Sequence, residues 1–397
     1  MVGSGGREHA LAWKLARSPS LTALHAAPGN PGIATLGDCH PVRAEDSEGL
    51  LGLAGSLGVD LVVVGPEAPL VAGVADELRH SGISVCGPGA GAAAIEGSKS
   101  FAKDVMQAAG VPAAGAMAIA RPPCVVKADG LAGGKGVVVC RTQEELDAGL
   151  AAVTGFGGSL VIEELLEGPE VSLFAICDGR EAVALAPARD YKRAFDGDEG
   201  PNTGGMGAVA PVPDLGPAEV EDLVERVHRP VLAELARRGA PFVGLLYAGL
   251  MLTAEGPKVL EFNCRFGDPE TQAVLPLMDG DLLEALAAAA RGELAGVTLG
   301  QEAGAAVTVV IAAGEYPAAD DRGSRIEGLD QAEGEGALVF HAGTARQQGR
   351  VVTNGGRVLA VTGCGEIVAA ARTIAYTAAS QISFPGARYR TDIALGI

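Results

Sequence analysis

The chain has 397 residues, 48% hydrophobic and 20% charged, with a formal net charge of −19 at pH 7. That length exceeds one ordinary core and predicts two to four domains of a soluble globular protein. The acidic balance excludes a typical nucleic-acid binder, which presents a basic surface, and it requires that any anionic substrate be met by locally placed Lys and Arg.

In chain order, Val2 leads into the turn Gly3-Ser4-Gly5-Gly6-Arg7 and a helix over 10–16, in which Leu11 and Leu15 share a face. Strand, glycine turn and helix open many nucleotide- or phosphate-binding α/β units. Almost the whole first strand is missing, so an exposed edge on the neighbouring strand is expected. Gly3 and Gly5 fit a dinucleotide fingerprint, but Glu8 stands where its third glycine belongs, which disfavours a nicotinamide cofactor. Amides at the helix start, with Arg7, still suit a phosphate, and a plain tight turn is the alternative. Strands follow over 21–26, 60–64 and 83–86, with an amphipathic helix over 69–80, the rhythm of one open parallel α/β domain. Ligands of such sheets sit beyond the strand C-termini, where Asn30 and Glu67 lie.

Ser98 is an N-cap for a helix over 99–109, stopped by Gly110. Pro112, Pro122 and Pro123 mark a linker. The next strand, 124–128, carries Lys127, which is costly in an apolar run unless it faces an anion. The loop Gly130-Leu131-Ala132-Gly133-Gly134-Lys135-Gly136 lacks the Walker spacing and leads into a strand over 137–140, so a P-loop is disfavoured. It reads instead as a glycine lid whose Lys135, with Lys127 behind it, covers a polyphosphate and excludes water. A helix over 142–153, a strand over 160–164 and a strand pair over 171–177 and 182–186 complete this small α+β unit.

A basic cluster, Arg189-Asp190-Tyr191-Lys192-Arg193, precedes the glycine-rich Asn202-Thr203-Gly204-Gly205, a second anion-contacting wall or a solvated loop. A long helix over 218–238 and a strand over 242–252 follow, then a hairpin at Gly256-Pro257 and a strand over 258–266. In that last strand Leu260, Phe262 and Cys264 alternate with Glu261, Asn263 and Arg265, so one face holds a carboxylate, an amide and a guanidinium. Same-face neighbours lie about 7 Å apart, close enough for Glu261 and Asn263 to share a magnesium that keeps waters and phosphates, with Arg265 facing an anion. A half-solvated amphipathic strand is the plain alternative. Beyond Ala305 the pattern is β-rich, with a hairpin turn at Asn354-Gly355 and a closing helix over 367–381. The seven cysteines are scattered without a CxxC pair and read as buried residues in a reducing compartment. Neither an apolar run of spanning length nor a basic leader is present, so a cytoplasmic location away from membranes is expected.

The lysine-bearing glycine lid, the strand ending in an acidic hinge and the late Glu-x-Asn strand resemble the ATP-grasp superfamily. The blocks GGREHALAW, VGPEAPLV, EGSKSFAKD, KADGLAGGKGV, GPNTGGMGA, LYAGLML, EFNCRFGDPETQ and VVTNGGRVLAVT span nearly the whole chain and resemble its phosphoribosylamine–glycine ligase family. The resemblance implies an ATP-grasp fold, mixed α/β and α+β, with an N-terminal open parallel domain (1–97), a linker and helix (98–119), a small lid (120–187), a central domain (188–302) and a C-terminal α+β domain (303–397). It implies a ligase using ATP, glycine and 5-phosphoribosylamine with Mg2+ or Mn2+, in purine biosynthesis. It implies no nucleic-acid or membrane partner, and a monomer or at most a weak homodimer. Carried over by position, Lys127 and Lys135 hold ATP phosphates, the backbone of Glu163, Glu164 and Leu166 reads adenine, Glu170 takes the ribose, and Lys192 also binds ATP. Glu261 and Asn263 hold the metal, Arg265 and Lys135 act in catalysis, Gly5, Gly6, Arg7, Asn30 and Glu67 face the acceptor substrate, and Asn202 and Thr203 bind substrate. The chain departs from the family in a shortened stretch over 118–123 and in Tyr191, where a histidine is usual.

Overall fold

The computed structural model describes residues 1–131, 136–156 and 159–397. At the N-terminus, Val2–Gly3 pairs in parallel with His25–Pro28, which pairs in parallel with Asp38–Cys39. Leu61–Val63 pairs in parallel with Ser84–Cys86, and a parallel bridge from Val2 to Val64 joins the two sets. The expected open edge is therefore closed: the two-residue strand pairs with His25–Pro28 on one side and bridges from Val2 to Val64 on the other, Val2 is 3% exposed, and the terminal amine donates to the His25 carbonyl at 2.8 Å. The helix expected over 69–80 is two, Glu67–Val71 and Val74–His80, because Gly73 between them sits at φ +93°.

Lys99–Ala109 forms as its caps dictate, with Ser98 Oγ accepting from Phe101 N at 3.2 Å and Gly110 at φ +69°. Such an N-cap contributes about 1 kcal/mol. The lid is a three-stranded antiparallel sheet, Cys124–Ala128 between Val137–Cys140 and Leu160–Glu164. Helix Gln143–Thr154, started by a Thr142–Glu145 capping box, closes its core over Val126, Cys140, Leu146 and Val153. The shortened 118–123 stretch is accommodated by packing Met117 and Ala120 on this same core.

Glu170–Asp178 and Ala182–Ala184, expected with the lid, belong elsewhere. Glu170–Asp178 pairs along its length with Val243–Thr253, which in turn pairs with Gly256–Asn263, giving one four-stranded antiparallel sheet. Two expectations are corrected here. Gly256 and Pro257 lie inside a strand opposite Thr253 and Leu252, and the last strand ends at Asn263, so Arg265 sits in the loop beyond it. The long helix is one helical stretch in three parts, Pro217–Leu223, a wider turn Val224–His228, and Arg229–Arg237. Pro230, which has no N–H to donate, accounts for that wider turn.

The C-terminal sheet orders its strands as Arg189–Asp190, Gly207–Ala210, Ala305–Ala312, Arg357–Gly365 and Leu338–His341, all antiparallel. Its first two strands come from the 188–302 segment, so pairing crosses that expected boundary. Helix Val368–Ala379 packs on this sheet. The turn expected at Asn354-Gly355 is instead the end of a strand, with Asn354 opposite Arg322; the hairpin turns at Gln348 and Gly349, both at positive φ. No described helix is long and apolar enough to cross a membrane.

Candidate active site

Between the lid, the four-stranded sheet and the N-terminal layer lies a cleft of about 1610 Å³. Its floor is the late strand, where Glu261 and Asn263 line the cavity beside Lys127 and Lys192. Burial alone would raise the Glu261 carboxyl, but Lys192, Lys127, Lys99 and Arg265 hold it below the usual range, so it is an anion in a ring of cations. The Asn263 amide nitrogen is satisfied when it faces Phe262 O at 3.2 Å and Glu96 Oε1 at 3.1 Å. An ionised carboxylate and an amide oxygen fit a magnesium ion that takes its other ligands from water and nucleotide phosphates. Among the described residues, no group of three or more His, Cys, Asp and Glu gathers to hold a metal alone.

Lys127 is 6% exposed, donates to Leu260 O at 2.9 Å and pairs with Glu163 Oε2 at 2.7 Å. The other Glu163 oxygen pairs with Lys103 at 2.6 Å. The Glu163 side chain thus ties the lid to helix Lys99–Ala109. Glu164 pairs with Lys258 at 3.4 Å and gives its backbone N–H to Gly115. Leu166 lines the cavity with both glutamates, and Glu170 pairs there with Lys192. Lys135 lies outside the described residues.

Sequence reasoning missed Lys99, Lys103 and Glu96, whose block was quoted only as a likeness. Arg265 Nη2 meets Glu96 Oε1 at 3.2 Å, Nε meets Glu67 Oε2 at 3.3 Å, and Nη1 donates to Phe266 O at 3.2 Å. A guanidinium has five N–H donors, so this anchoring leaves two for a ligand.

The residues expected to bind substrate divide. Arg7, Glu67, Asn202 and Thr203 line the large cleft, whereas Gly5 and Asn30 line a second cavity of about 720 Å³ between the N- and C-terminal parts. Gly6 is buried against Gln272. Glu8, in the place of a third glycine, accepts the Gly5 N–H at 2.5 Å and Arg7 Nε at 2.6 Å. A carboxylate already takes the Gly5 N–H, so that amide is not free for a phosphate. Gly3 permits it: at φ +121°, a Cβ would lie 2.6 Å from Glu8 Cγ. Asn30 is likewise spent, its Nδ2 donating to Ser4 O and His341 O and its Oδ1 accepting from Gly32 N and Ile33 N. Its amide is a strut of the cavity wall with no capacity left for a ligand. The Thr203 hydroxyl donates to Lys192 O and accepts from Gly205 N. Tyr191 borders the cleft and packs on the C-terminal core, where its hydroxyl accepts from Ala394 N.

Deeper in the cleft, Asp190 and Glu270 face each other's charge. Burial first, then this repulsion, pushes Asp190 well up, and burial pushes Glu270 up. Glu270 accepts from Ser172 Oγ at 3.1 Å, while Asp190 Oδ1 is buried with no partner among the described residues. An unpartnered acid in a cavity wall is a seat for a cationic group.

Residues 1–96, 97–271 and 306–396 match the N domain, the ATP-grasp (A) domain and the C domain of the phosphoribosylglycinamide synthetase family model. The chain is similar to the phosphoribosylamine–glycine ligase of Streptomyces coelicolor, 50% identical over 410 residues covering 99% of this chain and 98% of that one. It is similar to the crystal structure of the phosphoribosylamine–glycine ligase of Thermotoga maritima, with a TM-score of 0.84 and 35% identity over 99% of this chain and 98% of the other. A biotin carboxylase domain from Hydrogenobacter thermophilus, crystallised with magnesium ADP and bicarbonate, shares the fold at TM-score 0.70 and 18% identity, covering 98% of this chain and 90% of that one.

Proposed function

The chain belongs to the phosphoribosylglycinamide synthetase family of ATP-grasp enzymes, and from that premise we propose how its cavities divide the reaction. It is an enzyme that joins glycine to 5-phosphoribosylamine at the expense of ATP, a step of purine biosynthesis. ATP lies in the large cleft, its phosphates met by Lys127, Lys135 and Lys192, its adenine by the backbone over 163–166 and its ribose by Glu170. Glu261 and Asn263 hold a divalent ion, magnesium with manganese as a substitute, which would neutralise phosphate charge. Arg265 directs its two remaining N–H groups at the transferring phosphoryl group or the glycine carboxylate. The three-stranded unit over 124–164 acts as the lid and the four-stranded sheet as the base around the nucleotide.

The glycine carboxylate attacks the γ-phosphorus, giving glycyl phosphate and ADP. The sugar amine then attacks the glycyl carbonyl carbon and phosphate leaves. No side-chain nucleophile is required, so catalysis consists of positioning, charge stabilisation and exclusion of water. Asp190, with Glu270 beside it, receives the glycine ammonium. On this reading the enzyme works in the cytoplasm, as a monomer or at most a weak homodimer.

The observation that carries this reading is Glu261, ionised among Lys99, Lys127 and Lys192 on the cleft floor. Release of ADP that depends on both glycine and phosphoribosylamine tests it. Lys135→Ala and Glu261→Ala should each cut turnover by about a hundredfold or more with the thermal midpoint unchanged. Turnover within about threefold of the parent in both, less than 1 kcal/mol of barrier, rules the assignment out.

A further inference from the structure

Among the described residues, the nucleotide cleft and the second cavity share two lining side chains, Asp268 and Arg357. These form one wall. Arg357 Nη2 meets Asp268 Oδ2 at 3.0 Å, and Arg357 Nη1 donates to the Asp268 carbonyl at 2.8 Å and to the Gly204 carbonyl. On the far side, Gly5, Gly29, Thr344 and Arg346 enclose about 720 Å³, a usual size for a small-molecule site, with a guanidinium available for an anionic end. A Cβ on Gly5 would come 3.8 Å from Asp268 Oδ2, so the N-terminal turn borders the same space as this carboxylate. A bond can form only where the two reactants come within about 3–3.5 Å. If glycine is activated in the first cavity and the acceptor enters by the second, they meet at this wall.

Resting on the reaction described above, we propose that Asp268 receives the N–H of the acceptor amine and takes its proton as the amide forms. The amine lone pair makes the new C–N bond to the glycyl carbonyl carbon. The bond from that carbon to the phosphate oxygen breaks, and phosphate departs with the electron pair. The nitrogen gives one proton to the Asp268 carboxylate, which passes it to the departing phosphate. Arg357 is the positioning residue, holding the carboxylate across the two cavities.

The carboxylate is suited to this. Its Oδ1 accepts from Gln272 Nε2 at 2.8 Å and its Oδ2 faces Arg357, and each oxygen retains a lone pair for an N–H. Burial would push this carboxyl up, but Arg357, Arg7, the Gln272 hydrogen bond and Arg265 hold it below the usual range, so it is ionised at neutral pH. A weak base suffices, since attack leaves the nitrogen cationic and acidic.

The test is steady-state kinetics of Asp268→Asn and Asp268→Glu, with direct ATP binding as a check on the nucleotide site. Expected for Asp268→Asn is a fall of about a hundredfold in kcat/KM for phosphoribosylamine, with ATP affinity and the KM for glycine within about threefold of the parent. Asp268→Glu should recover part of the loss. Phosphoribosylamine kinetics within threefold of the parent overturn the proposal. So does a parallel loss of ATP affinity, glycine KM and acceptor kinetics in both variants, which marks a structural residue. A parent enzyme whose ADP release ignores phosphoribosylamine would instead sink the reading of the reaction itself.

Discussion

Single residues in this cleft act through the company the fold gives them. Asp190 and Glu270 are both acids that burial pushes toward the neutral form, and a cationic ligand between them would favour the ionised form and pair with it. Asp190→Asn is therefore expected to raise the KM for glycine by about tenfold or more, the loss of one charge-assisted hydrogen bond, while the KM for ATP stays within twofold. An equal rise in both constants contradicts that role. Gly205 shapes this corner: at φ +105°, its Cβ would lie 2.3 Å from Pro269 Cδ and 2.6 Å from Asp190 Oδ1. Lys127 and the Glu261–Asn263 pair were legible in the sequence because an unusual residue in a regular pattern marks itself. Glu96, Lys103, Asp268 and Arg357 were not, because each acquires its partner from an element far along the chain. Asn30 misled for the opposite reason, since a loop asparagine can serve its own backbone as readily as a ligand.

At the scale of elements, the lid is fastened to the central part by Asp129. Its carboxylate accepts from Lys99 N at 2.7 Å, Ser100 Oγ at 2.6 Å, Ser159 Oγ at 3.0 Å and Ser98 Oγ at 3.1 Å. It therefore places an anion at the start of helix Lys99–Ala109. Burial would raise this carboxyl, but those hydrogen bonds keep it low. Asp129→Ala should lower overall stability by about 1–2 kcal/mol and speed amide exchange across residues 124–164. Unchanged exchange there shows that the lid is held by other contacts. Elements with local signals were readable: the caps at Ser98 and Gly110 and the lid strands fall where the pattern places them. Sheet membership was not, because Glu170–Asp178 is placed by pairing with Val243–Thr253, some seventy residues away in sequence and unmarked by spacing.

For the whole molecule, the N- and C-terminal parts meet through two buried histidines. His9 Nδ1 accepts from His341 N at 2.8 Å, His341 Nδ1 meets Thr344 Oγ1 at 3.0 Å, and the His9 ring packs edge-on against Phe340. Burial pulls His9 to about 3, with His341 a lesser cause, and pulls His341 to about 4, with Arg346 a lesser cause, from an ordinary value of 6.5. Below pH 6.5 the unfolded chain binds protons that these folded rings refuse. Stability is thus full above pH 6.5, falls as pH drops toward about 4, and levels off below about 3. His9→Asn, whose Oδ1 stands in for Nδ1, should flatten part of that fall in the thermal midpoint, and an unchanged profile would exclude His9 as a source.

The same junction carries the second cavity, so the division of substrates between two chambers depends on it. A crystal structure of the enzyme with ADP, magnesium and glycinamide ribonucleotide tests that division most directly. The expected result is the ion on Glu261 and Asn263, the nucleotide beneath the lid, and the sugar phosphate in the second cavity with its amide nitrogen beside Asp268. Ribonucleotide and ADP together in the large cleft, with the second cavity empty, would contradict it.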